Sequence, residues 1–137
     1  YNGNGVTSDL VEGFEKTGKT QICAMTVNGP EISQYGVIVL NNEKNLVTGL
    51  LEKPNFENAP SNLASIGRYV LTPDIFDILR NQPIGIAGEI QLADSINAQA
   101  INNRVEAVLL NGMRFDCGSI KGYIDAIKYA SSNLTLD

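Results

Sequence analysis

Residues 34–54 read "QYGVIVLNNEKNLVTGLLEKP", and the way this stretch divides decides the fold. Gln34 to Leu40 is β-branched, continuous and apolar, which predicts a strand covered on both faces. Asn41-Asn42 predicts a turn. Leu46 to Glu52 predicts a second strand, ended by Pro54, which has no N–H for a sheet ladder. Two such runs around a short polar connection predict an antiparallel pair.

The same reading extends in both directions. The opening "YNGNGVTSDL" is loop-like, and Ser8 is placed to cap a helix whose apolar face is Leu10, Val11 and Phe14, stopped by Gly18. Gln21 to Val27 predicts a strand, broken at Asn28-Gly29-Pro30. Beyond "NAPSN", Leu63 to Leu71 predicts another strand. Thr72 then caps a helix with Pro73 at its first position, burying Ile75, Phe76, Ile78 and Leu79. A glycine-rich loop, "QPIGIAGE", leads to a helix from Glu89 to Ile101 that buries Leu92, Ala93, Ile96 and Ala100. Val105 to Leu110 and Met113 to Cys117 predict strands. Ser119 caps a last helix with Ile120, Tyr123, Ile124, Ile127 and Ala130 on one face. Helices interleaved with strands indicate an α/β domain around a mixed sheet. Nothing repeats, and no linker divides the chain.

The totals agree with one domain. The chain has 137 residues, 43% hydrophobic and 18% charged, enough apolar material for a core. Its formal charge of -5, with no basic stripe, argues against a nucleic-acid partner. No apolar run is long enough to span a bilayer, and no export leader is visible, so no membrane partner is expected. Two isolated cysteines, Cys23 and Cys117, make neither a disulfide framework nor a zinc site. The absence of histidine removes the commonest general base and leaves carboxylates, lysines, backbone amides and a hard metal ion as the available chemistry.

Four places carry candidate chemistry. Gly36 interrupts an apolar strand, which means either tight packing or a bulge, or a backbone open to a ligand. Glu52-Lys53-Pro54 is either a solvated strand end or a paired site. A carboxylate accepts hydrogen bonds from sugar hydroxyls, and an ammonium suits a phosphate. Consecutive strand residues point to opposite faces, so both reach one ligand only if the chain bends there, as Pro54 would encourage. Gly88-Glu89, with Gln91 and Asp94 following, suits a helix N-terminus, where the dipole accounts for the carboxylate. Asp116, in "RFDCGS", either caps a turn or holds Mg²⁺ beyond the carboxyl end of a strand. Spacing leaves those two readings even. Neither GxxxxGK[ST] nor GxGxxG is present.

Together the motifs are more specific. "YGVI", "LLEKP", "APSNLASIGRYVLTPDIF", "GEIQLADSI" and "FDCGSIKGYIDAIKYA", in this order, resemble the C-terminal half of the bacterial UTP–glucose-1-phosphate uridylyltransferases, a family of sugar-phosphate nucleotidylyltransferases. The resemblance runs from about Ser8 to Ala130. It implies the C-terminal, sugar-binding portion of a Rossmann-like nucleotide-diphospho-sugar transferase fold, with residues 1–137 as that half and the nucleotide-binding half absent. It implies transfer of a uridylyl group from UTP to glucose 1-phosphate, giving UDP-glucose and pyrophosphate, in a cytoplasmic, homo-oligomeric enzyme. In that family Gly36 would offer backbone contact to the hexose, Glu52 would bind sugar hydroxyls, and Lys53 would hold the phosphate. Asp116 would be one of two carboxylates on Mg²⁺, and Lys53 and Asp116 would act in catalysis.

The family's "GxGTRxLPxTK" loop and its first metal-binding aspartate are not in this sequence, so the chain is expected to be inactive alone. Ala93 stands where threonine is usual, and Ile120 where lysine is usual, so no phosphate role passes to Lys121. The competing expectations are a non-catalytic binding or oligomerisation module, and a related transferase for another nucleotide or sugar phosphate.

Overall fold

The computed structural model describes residues 5–41, 45–85 and 88–133. Tyr1–Asn4 of the expected opening loop, Asn42 of the expected turn, and Ile86 and Ala87 of the glycine-rich loop lie outside them. Among the described residues five strands form one sheet: β1 (Thr20–Thr26), β2 (Gly36–Leu40), β3 (Val47–Glu52), β4 (Leu63–Val70) and β5 (Val105–Leu109). Their order is β3-β2-β4-β1-β5. β1 and β5 are parallel and the other pairs antiparallel, so the sheet is mixed, as the α/β pattern predicts. The expected pairing of residues 36–40 with 47–52 is present, Val37 facing Leu51.

β1 lies inside the sheet and is buried from Thr20 to Ala24. Ile22 and Ala24 join Ile38, Val47, Leu50, Val105 and Ala107 in a core covered by Ile75, Ile96 and Ala100 from the helices. Replacing a fully buried isoleucine such as Ile22 by alanine costs about 2 to 5 kcal/mol. A smaller cluster of Val27, Ile32, Val37 and Ala64 includes Ile32 of a 3-10 helix at Pro30–Gln34.

Among the described residues there are four α-helices: α1 (Val6–Thr17), α2 (Ile75–Asn81), α3 (Leu92–Ile101) and α4 (Ile120–Asn133). Gly18 ends α1 in the left-handed conformation, its N–H donating to the Phe14 carbonyl at 2.7 Å. α1 begins at Val6, capped by Gly5, so Ser8 is within the helix and does not cap it. The strand expected from Gln34 begins at Gly36, because Pro30–Gln34 closes into the 3-10 helix.

The expected helix start at Thr72-Pro73 is displaced to Ile75, with Asp74 as its cap residue. The Thr72 hydroxyl is engaged elsewhere, accepting from Gln99 Nε2 at 2.7 Å beside the Thr20 hydroxyl at 3.3 Å. Ile75 is buried, but Phe76 lies 60% exposed, because a helix of two turns buries only one narrow stripe. The helix expected from Glu89 starts at Leu92. Gln82 Nε2 donates to the Gln91 carbonyl at 2.9 Å, and Gly85 N–H donates to the Glu89 carbonyl at 2.9 Å, holding that segment out of the helix. Glu89 is therefore not in a first helical turn. No strand forms over Met113–Cys117: the segment has no neighbouring strand to satisfy its backbone.

Ser119 does cap α4, its hydroxyl accepting from Gly122 N–H at 3.0 Å. The apolar face of α4 is exposed, with no residue buried. Among the described residues no helix is long and apolar enough to cross a membrane.

Candidate functional site

Glu52 ends β3, and Lys53 follows with φ 46°, a left-handed conformation unusual for a residue with a side chain. That backbone breaks the strand's alternation. Both side chains then point to one side, Lys53 Nζ standing 3.8 Å from Glu52 Oε1 with both exposed. The bend expected of Pro54 lies at Lys53 itself. Proline disfavours helical backbone in the residue before it, so the conformation is held from outside. Lys53 N–H donates to the Tyr35 carbonyl at 3.1 Å, fastening the turn to the start of β2.

Gly36 is opposite Glu52 on one side and Ser65 on the other. A Cβ at Gly36 would lie 3.1 Å from Glu52 Oε2 and 3.3 Å from Leu50 Cδ1. The Glu52 carboxylate and the Leu50 side chain thus crowd the space a side chain would need, and tight packing explains Gly36 without a ligand.

β4 supplies the next wall through an irregularity. Ile22 pairs with Tyr69 and Ala24 with Ser65, so Ile66, Gly67 and Arg68 all stand against Cys23. Gly67, at φ 71°, permits the bulge. The detour brings the Ser65 and Tyr69 hydroxyls to 3.1 Å, though four residues of regular strand would separate them widely. Gly36, Glu52, Ser65, Gly67, Tyr69 and Gln91 line a cleft of about 260 Å³. Lys53 borders an adjoining cleft that shares Leu50, Glu52, Gln91 and Ala93 with it.

Asp116 lies in the turn before α4, not at a strand end as its sequence context predicts. Its Oδ1 accepts from Gly118 N–H at 3.1 Å, the turn-capping role. It lines a third cleft with Glu31, Arg114, Ser119, Lys121 and Asp125, which shares Gln34 and Tyr35 with the Gly36 cleft. Arg114 ties this segment across: its Nη1 donates to the Tyr35 hydroxyl at 3.2 Å, with the guanidinium 5.4 Å from the ring centroid. Glu52 and Lys53 therefore share one cleft, while Asp116 lines a separate one that meets the Gly36 cleft at Gln34 and Tyr35; no single cleft among the described residues holds all three.

Among the described residues no group of three or more His, Cys, Asp or Glu could hold a metal. The exposed Asp116 carboxylate, in a cleft that also holds Glu31 and Asp125, nevertheless has the oxygen chemistry that suits a hard divalent cation whose other ligands are phosphate oxygens and water. Asp116 is the residue that would hold it.

Sequence reasoning passed over Tyr35, Ser65 and Tyr69. Only Tyr35 carried a signal, as the neighbour of Gly36.

The description "nucleotidyl transferase" belongs to the family profile that matches residues 6–133. The chain is 42% identical over 130 residues to a UTP–glucose-1-phosphate uridylyltransferase of Pseudomonas aeruginosa, covering 93% of this chain and 47% of that protein. It is also 42% identical over 123 residues to one of Haemophilus influenzae, covering 85% of this chain and 42% of that protein. A solved UDP-glucose pyrophosphorylase complexed with UDP-glucose superposes with a TM-score of 0.87 at 38% identity, over 96% of this chain and 51% of that one. The chain spans about half the length of the curated relatives it matches.

Proposed function

The chain belongs to the nucleotidyl transferase family, and on that premise we propose that it supplies the sugar-phosphate side of a UTP–glucose-1-phosphate uridylyltransferase. Residues 1–137 are the C-terminal half of the nucleotidyltransferase domain, and the nucleotide-binding half is carried by residues outside this sequence. The whole enzyme joins UTP and glucose 1-phosphate into UDP-glucose and pyrophosphate, and this half alone is inactive.

The observation that carries the reading is the left-handed turn at Lys53, which sets an ammonium beside the Glu52 carboxylate in the cleft that adjoins the Gly36 cleft. An exposed pair of this kind contributes little to stability, while holding a lysine in left-handed backbone costs of order 1–3 kcal/mol. The turn gains one backbone hydrogen bond, from Lys53 N–H to the Tyr35 carbonyl, and strained backbone of this kind is found where a ligand uses the geometry. Glu52 accepts hydrogen bonds from hexose hydroxyls, and Lys53 neutralises the 1-phosphate.

In the reaction, a phosphate oxygen of glucose 1-phosphate attacks the α-phosphorus of UTP in line. The new P–O bond forms as the bond to pyrophosphate breaks. The nucleophile is already an anion, so no general base is needed, in keeping with a chain that has no histidine. Lys53 lowers the barrier by aligning that anion and offsetting repulsion between two polyanions. Mg²⁺, held at Asp116, supplies further neutralisation of phosphate charge when bound.

The test is formation of UDP-glucose by the full polypeptide, with Lys53→Ala beside it. A fall in turnover on the order of 100-fold supports the role of Lys53, and unchanged turnover removes it. A second reading, self-association, draws on α4, where Ile120, Tyr123, Ile124 and Ile127 are exposed at 83, 56, 44 and 51%. Light scattering distinguishes a monomer from a homo-oligomer.

A further inference from the structure

β3 is an edge strand, so the backbone groups of Leu50 that point away from β2 have no neighbouring strand. Both are nevertheless paired. Leu50 N–H donates to Asn97 Oδ1 at 2.6 Å, and Asn97 Nδ2 donates to the Leu50 carbonyl at 2.7 Å. A side-chain amide carries the same donor and acceptor as a peptide, so Asn97 replaces a strand residue at this one point. It does so from α3, where its neighbours Ile96 and Ala100 are in the core.

The placement matters because Leu50 leads directly into the site. Glu52 is two residues on, on the same face of β3, and its carboxylate leans over Gly36. Lys53, next in the chain, is fastened on the β2 side by the Tyr35 carbonyl. The end of β3 is therefore held from both edges, by β2 and by Asn97. α3 also begins beside the cleft, through Leu92 and Ala93. Asn97 thus locks the strand that bears Glu52 and Lys53 to the helix that forms the opposite wall.

We infer that Asn97 is a positioning residue for the sugar-phosphate site: its paired hydrogen bonds to Leu50 set where Glu52 and Lys53 stand. This rests on the sugar-phosphate role proposed for Glu52 and Lys53. A purely structural amide would affect stability and leave substrate preference alone. A positioning amide affects one substrate.

The experiment uses the full polypeptide and compares the wild type with Asn97→Ala. KM for glucose 1-phosphate rises on the order of tenfold, within the 100-fold that a 1 Å misplacement can cost, while KM for UTP is unchanged. Amide hydrogen exchange accelerates at Leu50 and Lys53 and holds its rate at Ile22. Should the alanine variant fold poorly, the isosteric Asn97→Asp answers the same question. Its carboxylate cannot donate to the Leu50 carbonyl, so KM for glucose 1-phosphate rises there too. Faster exchange at Leu50 with both KM values unchanged overturns the inference and leaves the reading of the site intact, as does an equal rise in both KM values. A wild-type polypeptide that makes no UDP-glucose overturns the reading, and the inference with it.

Discussion

Lys53 Nζ lies 3.8 Å from Glu52 Oε1 although the two residues are consecutive at the end of a strand. Regular strand geometry would send them to opposite faces. The positive φ of Lys53 brings them together, and the Tyr35 carbonyl holds that turn. Tyr35 also receives Arg114, which precedes Asp116 by two residues. One tyrosine thus joins the segment with the ammonium to the segment with the aspartate.

Gly36→Ala tests whether space over that glycine matters. Its Cβ would press on Glu52 Oε2, the far end of a flexible side chain, so the fold survives with a loss of about 1 kcal/mol, the low end of overpacking costs. The displaced carboxylate weakens sugar-phosphate affinity. Thermal denaturation reads the first effect and calorimetric titration the second; unchanged affinity removes Gly36 from the site.

α4 depends on its start. Ser119→Ala removes the cap and costs about 1 kcal/mol, read as lost helical circular dichroism. Gly122→Ala is more severe, because its Cβ would lie 2.1 Å from the Asp116 carbonyl oxygen. The turn that holds Asp116 must open. Since no residue of α4 is buried, the main thermal transition shifts little in either variant. A large shift in that transition would show that α4 is integral to the core.

Acid sensitivity arises from two carboxylates. Asp74 is held below its ordinary value of 3.8, first by the Thr72 hydroxyl, then by the Gln99 amide and the Arg104 guanidinium. Glu106 is desolvated, which raises its pKa, but Gln21, Lys19 and Thr17 outweigh this and hold it below 4.5. A lowered folded pKa means stability that is fully present above the unfolded value and is lost as pH falls through the folded one. Urea midpoints therefore hold steady at neutral pH and drop below about pH 4.5. Asp74→Asn flattens that drop; an identical slope would show that the carboxylate is not lowered.

Cys23 is fully buried, and burial pushes its thiol pKa up, while Cys117 is exposed. A thiol reagent under native conditions modifies Cys117 alone and reaches Cys23 only on unfolding. Rapid modification of both would contradict the packing of β1.

Much of this was legible in the sequence, for local reasons. Apolar runs bounded by turn residues marked all five of the described strands, the one at Gln34–Leu40 through its β-branched residues, and the pairing of β2 and β3 came from their short separation. Gly18 and Ser119 marked helix ends through their own chemistry. Glu52 and Lys53 drew attention by adjacency. What was not legible depends on distant partners. Nothing local tells a lysine to adopt left-handed backbone; the Tyr35 carbonyl does. Thr72 looked like a helix cap, and a buried glutamine far along the chain claimed its hydroxyl. Asn97 gave one weak sign, a polar residue between Ile96 and Ala100, and its partner lies 47 residues away. Met113–Cys117 had the composition of a strand and no neighbour to pair with.

The central claim is that Glu52 and Lys53 grip opposite ends of one hexose phosphate. Its most direct test is the affinity of the full polypeptide for glucose 1-phosphate and for glucose, in the wild type, Glu52→Gln and Lys53→Met. The account predicts that Lys53→Met abolishes the preference for the phosphorylated sugar, while Glu52→Gln weakens both ligands alike. A Lys53→Met protein that still prefers glucose 1-phosphate by the wild-type ratio would contradict it.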